Sequence, residues 1–254
     1  MPAVAKLFAL VLSLIGPPPT DTPKDLQLKP GDKIVAIGDS ITAGGGYLRD
    51  IDAVLAQQYP DLKIPKVLNK GIGGQKAEDL VKRFDKDVVQ QKPAFVTLSI
   101  GINDVWHRLK NPPDEKILAA YKENVGKMIG AAQQAGIKVI LLTPTLIQED
   151  AESEGNKRLV MYVEAEKQVA AEKKCQLVDL HAMFLTALKQ KPADQKGNWL
   201  TGDGVHMKPL GDGIMAAGVL RALGVPDAKI AASEPAPPPV RPAPKAKPAK
   251  ATAK

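Results

Sequence analysis

A chain of 254 residues, 44% hydrophobic and 25% charged, is long enough for one sizeable domain and too apolar to be disordered throughout. Its formal charge of +7 does not mark a nucleic-acid binder. Over 233–254 the cations Arg241, Lys245, Lys247, Lys250 and Lys254 oppose one anion, Glu234, so this stretch alone carries +4 and leaves +3 elsewhere, with no basic face interleaved with aromatics. The single cysteine, Cys175, excludes an intramolecular disulfide and a cysteine metal cluster. Its apolar setting suits a small buried thiol.

The chain opens with one cation, Lys6, and the apolar run Leu7–Ile15. That is the size of a signal-peptide hydrophobic region and too short to span a bilayer. Gly16 followed by Pro17-Pro18-Pro19 makes a poor cleavage site. Export to the periplasm or medium is expected, with residues 1–30 as leader and Pro-rich spacer lacking a fixed structure. The domain proper is expected over 31–226. Residues 227–254 become Pro-, Ala- and Lys-rich, a composition that buries too little apolar surface to offset ordering entropy. This basic tail reads as a disordered, solubilising spacer, with an acidic surface as its conceivable contact. There is no internal repeat, and the oligomeric state is not legible.

Within 31–226, short apolar runs alternate with longer amphipathic ones. Strands are expected at 33–37, 65–69, 95–100, 137–143 and 176–180. Helices are expected at 47–59, with Leu48, Ile51, Val54 and Leu55 on one face, then at 77–91, 114–135, 156–174 and 207–223. Five apolar strands separated by helices imply a parallel α/β sheet covered on both faces. Functional groups then gather at the carboxyl ends of the strands.

Those ends carry a consistent set of groups. Gly38-Asp39-Ser40 follows the first strand and puts a serine on a tight turn into a helix. Gly71-Ile72-Gly73-Gly74 follows the second, where backbone N–H groups can face a ligand. Gly101-Ile102-Asn103-Asp104 follows the third, and Asp203-Gly204-Val205-His206 precedes the last helix. These are the parts of acyl transfer. Ser40 is the candidate nucleophile, His206 the general base and Asp203 the residue that orients the imidazole. The oxyanion donors would be the N–H groups of Ser40 and Gly73 and the Asn103 side chain. Asp39, Tyr47, Trp106 and Trp199 stand beside these blocks as candidate substrate contacts. The other two histidines are His107, which has Asp104 three residues before it, and His181, which has no acid at that offset; both read as rim residues.

The four blocks, in order over about 32–224, resemble the conserved blocks of the SGNH (GDSL-type) hydrolases. The resemblance implies a three-layer α/β/α fold, no cofactor, and the family roles on Ser40, Gly73, Asn103 and His206, with Asp203 as third member of the triad. Gly101-Ile-Asn-Asp-Val-Trp106 is similar to members regarded as carbohydrate acetylesterases. The expected activity is therefore hydrolysis of short-acyl esters, O-acetyl above all, on a carbohydrate. A lysophospholipase or thioesterase is the alternative within the family. A catalytically silent carbohydrate-binding domain of the same fold is the alternative from another class.

Two further readings are excluded. Gly44-Gly45-Gly46 is followed by Tyr47, not the lysine of a phosphate-binding loop. Three scattered histidines without an H-E-x-x-H pattern supply no metal-ligand set.

Overall fold

The computed structural model describes residues 7–237, so Lys6 and the tail cations from Arg241 onward lie outside the described residues. Five strands, β1 (Ile34–Gly38), β2 (Leu68–Gly71), β3 (Phe95–Ser99), β4 (Lys138–Leu142) and β5 (Gln176–Val178), form one all-parallel sheet in the order β2-β1-β3-β4-β5. The helices are α1 (Leu7–Ile15), α2 (Ser40–Gly44), α3 (Gly46–Gln58), α4 (Ala77–Asp87), α5 (Ile102–Trp106), α6 (Glu115–Gln134), α7 (Glu154–Lys173), α8 (Leu180–Leu188), α9 (Pro209–Ala222) and α10 (Asp227–Ala231). Helices α3 and α9, with α1, α8 and α10, pack together as one layer, and α4, α6 and α7 pack together as the other. This is the expected three-layer α/β/α arrangement.

The burial of the strands explains their composition. Every residue of β1 and β3 is buried, as is β4 apart from Lys138, and only apolar runs tolerate cover on both faces. β2 lies at the edge, with Leu68 and Asn69 exposed. The chain leaves β1 for one edge and returns to β3 on the other side. Such a switch point opens a crevice at the carboxyl ends of the two strands, and Ser40 and Asn103 flank it.

Within 31–226 the strand and helix positions follow the sequence pattern to within a few residues, apart from the five-residue α2 and α5 and the longer α8, which the pattern did not mark. The sequence pattern gave no helix directly after the fifth strand, yet α8 begins at Leu180. Its run LHAMFLTAL is apolar almost all round and lacks a polar period. Asp179 ends β5 by capping α8, accepting the Ala182 N–H at 3.0 Å.

Both ends of the domain extend beyond 31–226. The segment read as an unstructured leader forms α1, whose Phe8 and Val11 are fully buried in the common core beside α9. The spacer after it is tied down, since Arg221 donates to the Gly16 carbonyl at 2.8 Å and the Gln27 N–H donates to Leu223 O at 2.8 Å. At the other end, the tail boundary at 227 is corrected. α10 buries Ile230, Ser233 is buried, Gln57 pairs with the Glu234 backbone at 2.9 and 3.0 Å, and the Ala236 N–H reaches Asp50 at 2.9 Å. A few apolar residues and backbone groups in an otherwise poor composition suffice when a prebuilt surface accepts them.

Candidate active site

Asp39 and Ser40 turn the chain from β1 into α2. The Asp39 carboxylate caps the helix by accepting the Ile41 N–H at 2.9 Å, which leaves the Ser40 hydroxyl unencumbered. Gly71 lets β2 approach this turn, because a Cβ there would meet Ala43 N at 2.1 Å. The turn after β2 brings Gly73 beside the serine, with the position of a Cβ on Gly73 lying 3.9 Å from Ser40 Cβ. Among the described residues, the N–H groups of Ser40 and Gly73 have no acceptor.

Across the crevice, residues 200–208 fold back on themselves. Lys208 N donates to Leu200 O at 2.9 Å and Gly202 N to His206 O at 2.7 Å, with Asp203 to Val205 at the tip. His206 Nε2 stands 2.9 Å from Ser40 Oγ, and Nδ1 stands 2.6 Å from Asp203 Oδ2. Asp203 Oδ1 also accepts the N–H groups of Val205 at 3.0 Å and His206 at 2.8 Å. Desolvation pushes the Asp203 carboxyl up, but these hydrogen bonds and the neighbouring imidazole outweigh it and hold the group at about 2. The acid of this relay is therefore ionised throughout the neutral range.

Asn103 enters on α5, after Gly101 at φ +124°, where a Cβ would meet Pro144 and the Tyr121 hydroxyl at 2.7 Å. Its amide Nδ2 donates to the Gln75 carbonyl at 3.1 Å and, over a longer 3.4 Å, to Asp39 Oδ2. Asp39 is 2% exposed. Burial raises its carboxyl to about 6, against the opposing pull of the Ile41 N–H and His206.

The structure thus brings Ser40, Gly73, Asn103, Asp203 and His206 to one rim, and it corrects other expectations. Tyr47 is fully buried, with its hydroxyl 3.2 Å from Thr42 Oγ1 and its pKa raised by burial to about 12. It offers no face to a substrate, because position two of α3 points inward. Asp39 is likewise occupied by the cap and by Asn103. His181 is not a rim residue, since it is buried with Nδ1 2.6 Å from Thr145 O. His107 is exposed, with Cε1 4.0 Å from a Cβ position on Gly74. Trp106 is exposed beside it, whereas Trp199 is half-buried against the core. Cys175 is half-buried and its thiol is pushed by burial to about 11, so it supplies no nucleophile near neutrality.

Supporting residues escaped the sequence reading. Arg83 on α4 donates to Gly38 O at 3.1 Å, Lys70 O at 2.8 Å and Gln75 Oε1 at 2.7 Å, tying the ends of β1 and β2 to the Gly73 turn. Glu149, in the loop after β4, grips residues 199–201. Nothing local distinguishes either from an ordinary surface charge. Ile72, exposed beside Gly73, carries the one available signal, an apolar residue within a glycine turn.

Comparison with known proteins places this arrangement. The model of the GDSL-like lipase/acylhydrolase family matches residues 36–214. The chain belongs to that family. It is a carboxylic ester hydrolase of the SGNH type. An acetylxylan esterase of Geobacillus stearothermophilus is 33% identical over 218 residues, covering 78% of this chain and 97% of the relative. The Bacillus subtilis (strain 168) lipoprotein YqeF is 36% identical over 119 residues, 44% of this chain and 48% of the relative. The solved structure of the Geobacillus enzyme superposes with a TM-score of 0.69 at 32% identity, over 78% of this chain and 97% of that one. The α/β hydrolase LAE5, from a Lake Arreo metagenome, gives 0.70 at 28% identity, over 79% and 98%. Catalytic mutants of the Geobacillus enzyme carry alanine at a serine, an aspartate and a histidine.

Proposed function

We propose that this esterase removes short acyl groups, O-acetyl above all, from a carbohydrate through a Ser40-His206-Asp203 triad. The observation that carries the reading is the unbroken relay from Ser40 Oγ to His206 Nε2 at 2.9 Å and from His206 Nδ1 to Asp203 at 2.6 Å. Ser40 Oγ attacks the ester carbonyl carbon while His206 Nε2 takes its proton. The carbonyl electron pair moves onto oxygen, where the N–H groups of Ser40 and Gly73 receive it. Asn103 joins them by exchanging its 3.4 Å bond to Asp39, the weaker of its two, for the oxyanion. The intermediate then collapses, and the sugar oxygen leaves with the proton held by His206. A water gives a proton to His206, attacks the acyl-enzyme and releases the acid, and Ser40 regains its proton. Asp203 stays ionised throughout and supports the imidazolium.

A short acyl group fits an open site. The His206 and Asp203 side chains are 51% and 55% exposed, a setting that suits a small acyl group on a bulky polar alcohol and gives a long acyl chain little apolar cover. The acetylxylan esterase relative points the same way, and exposed Trp106 offers a face for a sugar ring. Export belongs to this reading, supported by a lipoprotein among the relatives. No described helix is long and apolar enough to cross a membrane.

The test is hydrolysis of p-nitrophenyl esters from acetyl to palmitoyl, with Ser40→Ala as control, followed by acetate release from acetylated xylooligosaccharides. Serine-dependent activity that falls steeply beyond butyryl is the expected result. Activity that rises with chain length would favour a lipid ester. Activity unchanged in Ser40→Ala would remove the proposed nucleophile.

A further inference from the structure

Resting on the reading that His206 serves Ser40, we propose that Glu149 is a positioning residue that sets residues 199–207 in the register where the two meet. Glu149 Oε1 accepts the N–H groups of Leu200 at 2.8 Å and Thr201 at 2.7 Å, together with the Thr201 hydroxyl at 2.8 Å. Its Oε2 accepts the Trp199 N–H at 2.6 Å. The neighbouring Gln148, in the left-handed region at φ +65°, donates its N–H to Gly204 O at 2.7 Å. One short stretch after β4 therefore holds the base of the folded-back segment through a carboxylate and its tip through a backbone bond.

The need for such a grip follows from the fold. Ser40, Gly73 and Asn103 each follow a strand of the sheet, so β-ladder hydrogen bonds fix their relative positions. His206 lies between the end of α8 at Leu188 and the start of α9 at Pro209, where the only ladder contact is the isolated bridge of Thr201 with Met207. Its side chain and that of Asp203 are half-exposed, so packing does little to place them. Four donors on one carboxylate, all at 2.8 Å or less, are charge-assisted bonds of the stronger kind, and removing that acceptor strands three backbone N–H groups. The loop then shifts, and a displacement of about 1 Å at a catalytic group costs on the order of a hundredfold in rate.

The test compares Glu149→Ala, the near-isosteric Glu149→Gln and Glu152→Ala as control. Glu152 stands on the same loop, and its side chain makes only an exposed 3.4 Å ion pair with Lys157. Turnover of p-nitrophenyl acetate is read beside the low-field proton resonance of the His206 Nδ1–H facing Asp203, at temperatures where circular dichroism shows the fold intact. Glu149→Ala is expected to lose about a hundredfold in kcat with KM within about threefold of the parent, and to lose or broaden the resonance. Glu149→Gln, which turns one N–H₂ toward the donors, is expected to fall between, and Glu152→Ala to match the parent. A folded Glu149→Ala with parental kcat and resonance overturns the proposal. If that variant does not fold, a parental kcat and resonance in Glu149→Gln overturns it equally. A parent enzyme without Ser40-dependent turnover defeats the catalytic reading instead, and the resonance alone then decides on Glu149.

Discussion

Asp203 holds His206 at two points, with Oδ2 2.6 Å from the imidazole Nδ1 and Oδ1 2.8 Å from the same residue's backbone N–H. One carboxylate thus fixes both the ring and the main chain that carries it. Asp203→Asn keeps the shape but sets an N–H₂ against one of these donors. The expected result is a fall in kcat of roughly ten-thousandfold on p-nitrophenyl acetate, with an unchanged fold by circular dichroism. A loss under tenfold would remove Asp203 from the relay.

Buried carboxylates give the protein a stability that depends on pH. Burial raises Asp39, Asp50 and Asp212 from 3.8 to about 6, and Asp104 to about 7. The folded chain therefore binds these protons more tightly than the unfolded chain, so stability declines as pH rises from about 4 through 7. Asp203, lowered to about 2, has the opposite sign, and its contribution is lost only below about 4. The melting temperature is expected to be higher at pH 5 than at pH 8 by scanning calorimetry, and Asp104→Asn is expected to narrow the gap. A melting temperature that rises from pH 5 to pH 8 would contradict this.

Tyr47 and Trp106 divide structure from recognition. Tyr47→Phe loses a buried hydroxyl bonded to Thr42, so it is expected to cost about 1 kcal/mol in urea unfolding and leave kcat alone. Trp106→Ala is expected to raise KM for an acetylated xylooligosaccharide by up to about tenfold, with p-nitrophenyl acetate turnover unaffected. An unchanged oligosaccharide KM would leave Trp106 without a substrate role.

The first helix is tested by Phe8→Ala in the full chain. Phe8 is fully buried, and deleting a buried phenyl ring costs about 3 kcal/mol or more. Urea unfolding should show that loss while esterase activity of the folded protein persists, because α1 lies on α9 and not at the Ser40 rim. Unchanged stability would mean that Leu7–Ile15 does not pack on the domain.

Hydrophobic pattern alone determined the five strands, the parallel α/β class and the strand ends that matter, because burial on both faces forces apolar runs and the switch point follows from topology. Four short blocks likewise announced Ser40, Gly73, Asn103 and His206, since a tight turn, a bare backbone donor and an imidazole each demand particular residue types. Tertiary structure decided what composition cannot express. Tyr47 and Trp106 are both aromatic neighbours of the site, yet one is buried in the core against Thr42 while the other faces water, according to the helix phase each inherits from its turn. Leu7–Ile15 reads as a leader and residues 227–237 as too poor in apolar surface to fold, yet both order against a surface built by distant residues. Arg83 and Glu149 are indistinguishable in sequence from solvated charges. Their meaning lies in backbone groups more than ten and about fifty positions away, brought within hydrogen-bond reach only when the chain folds.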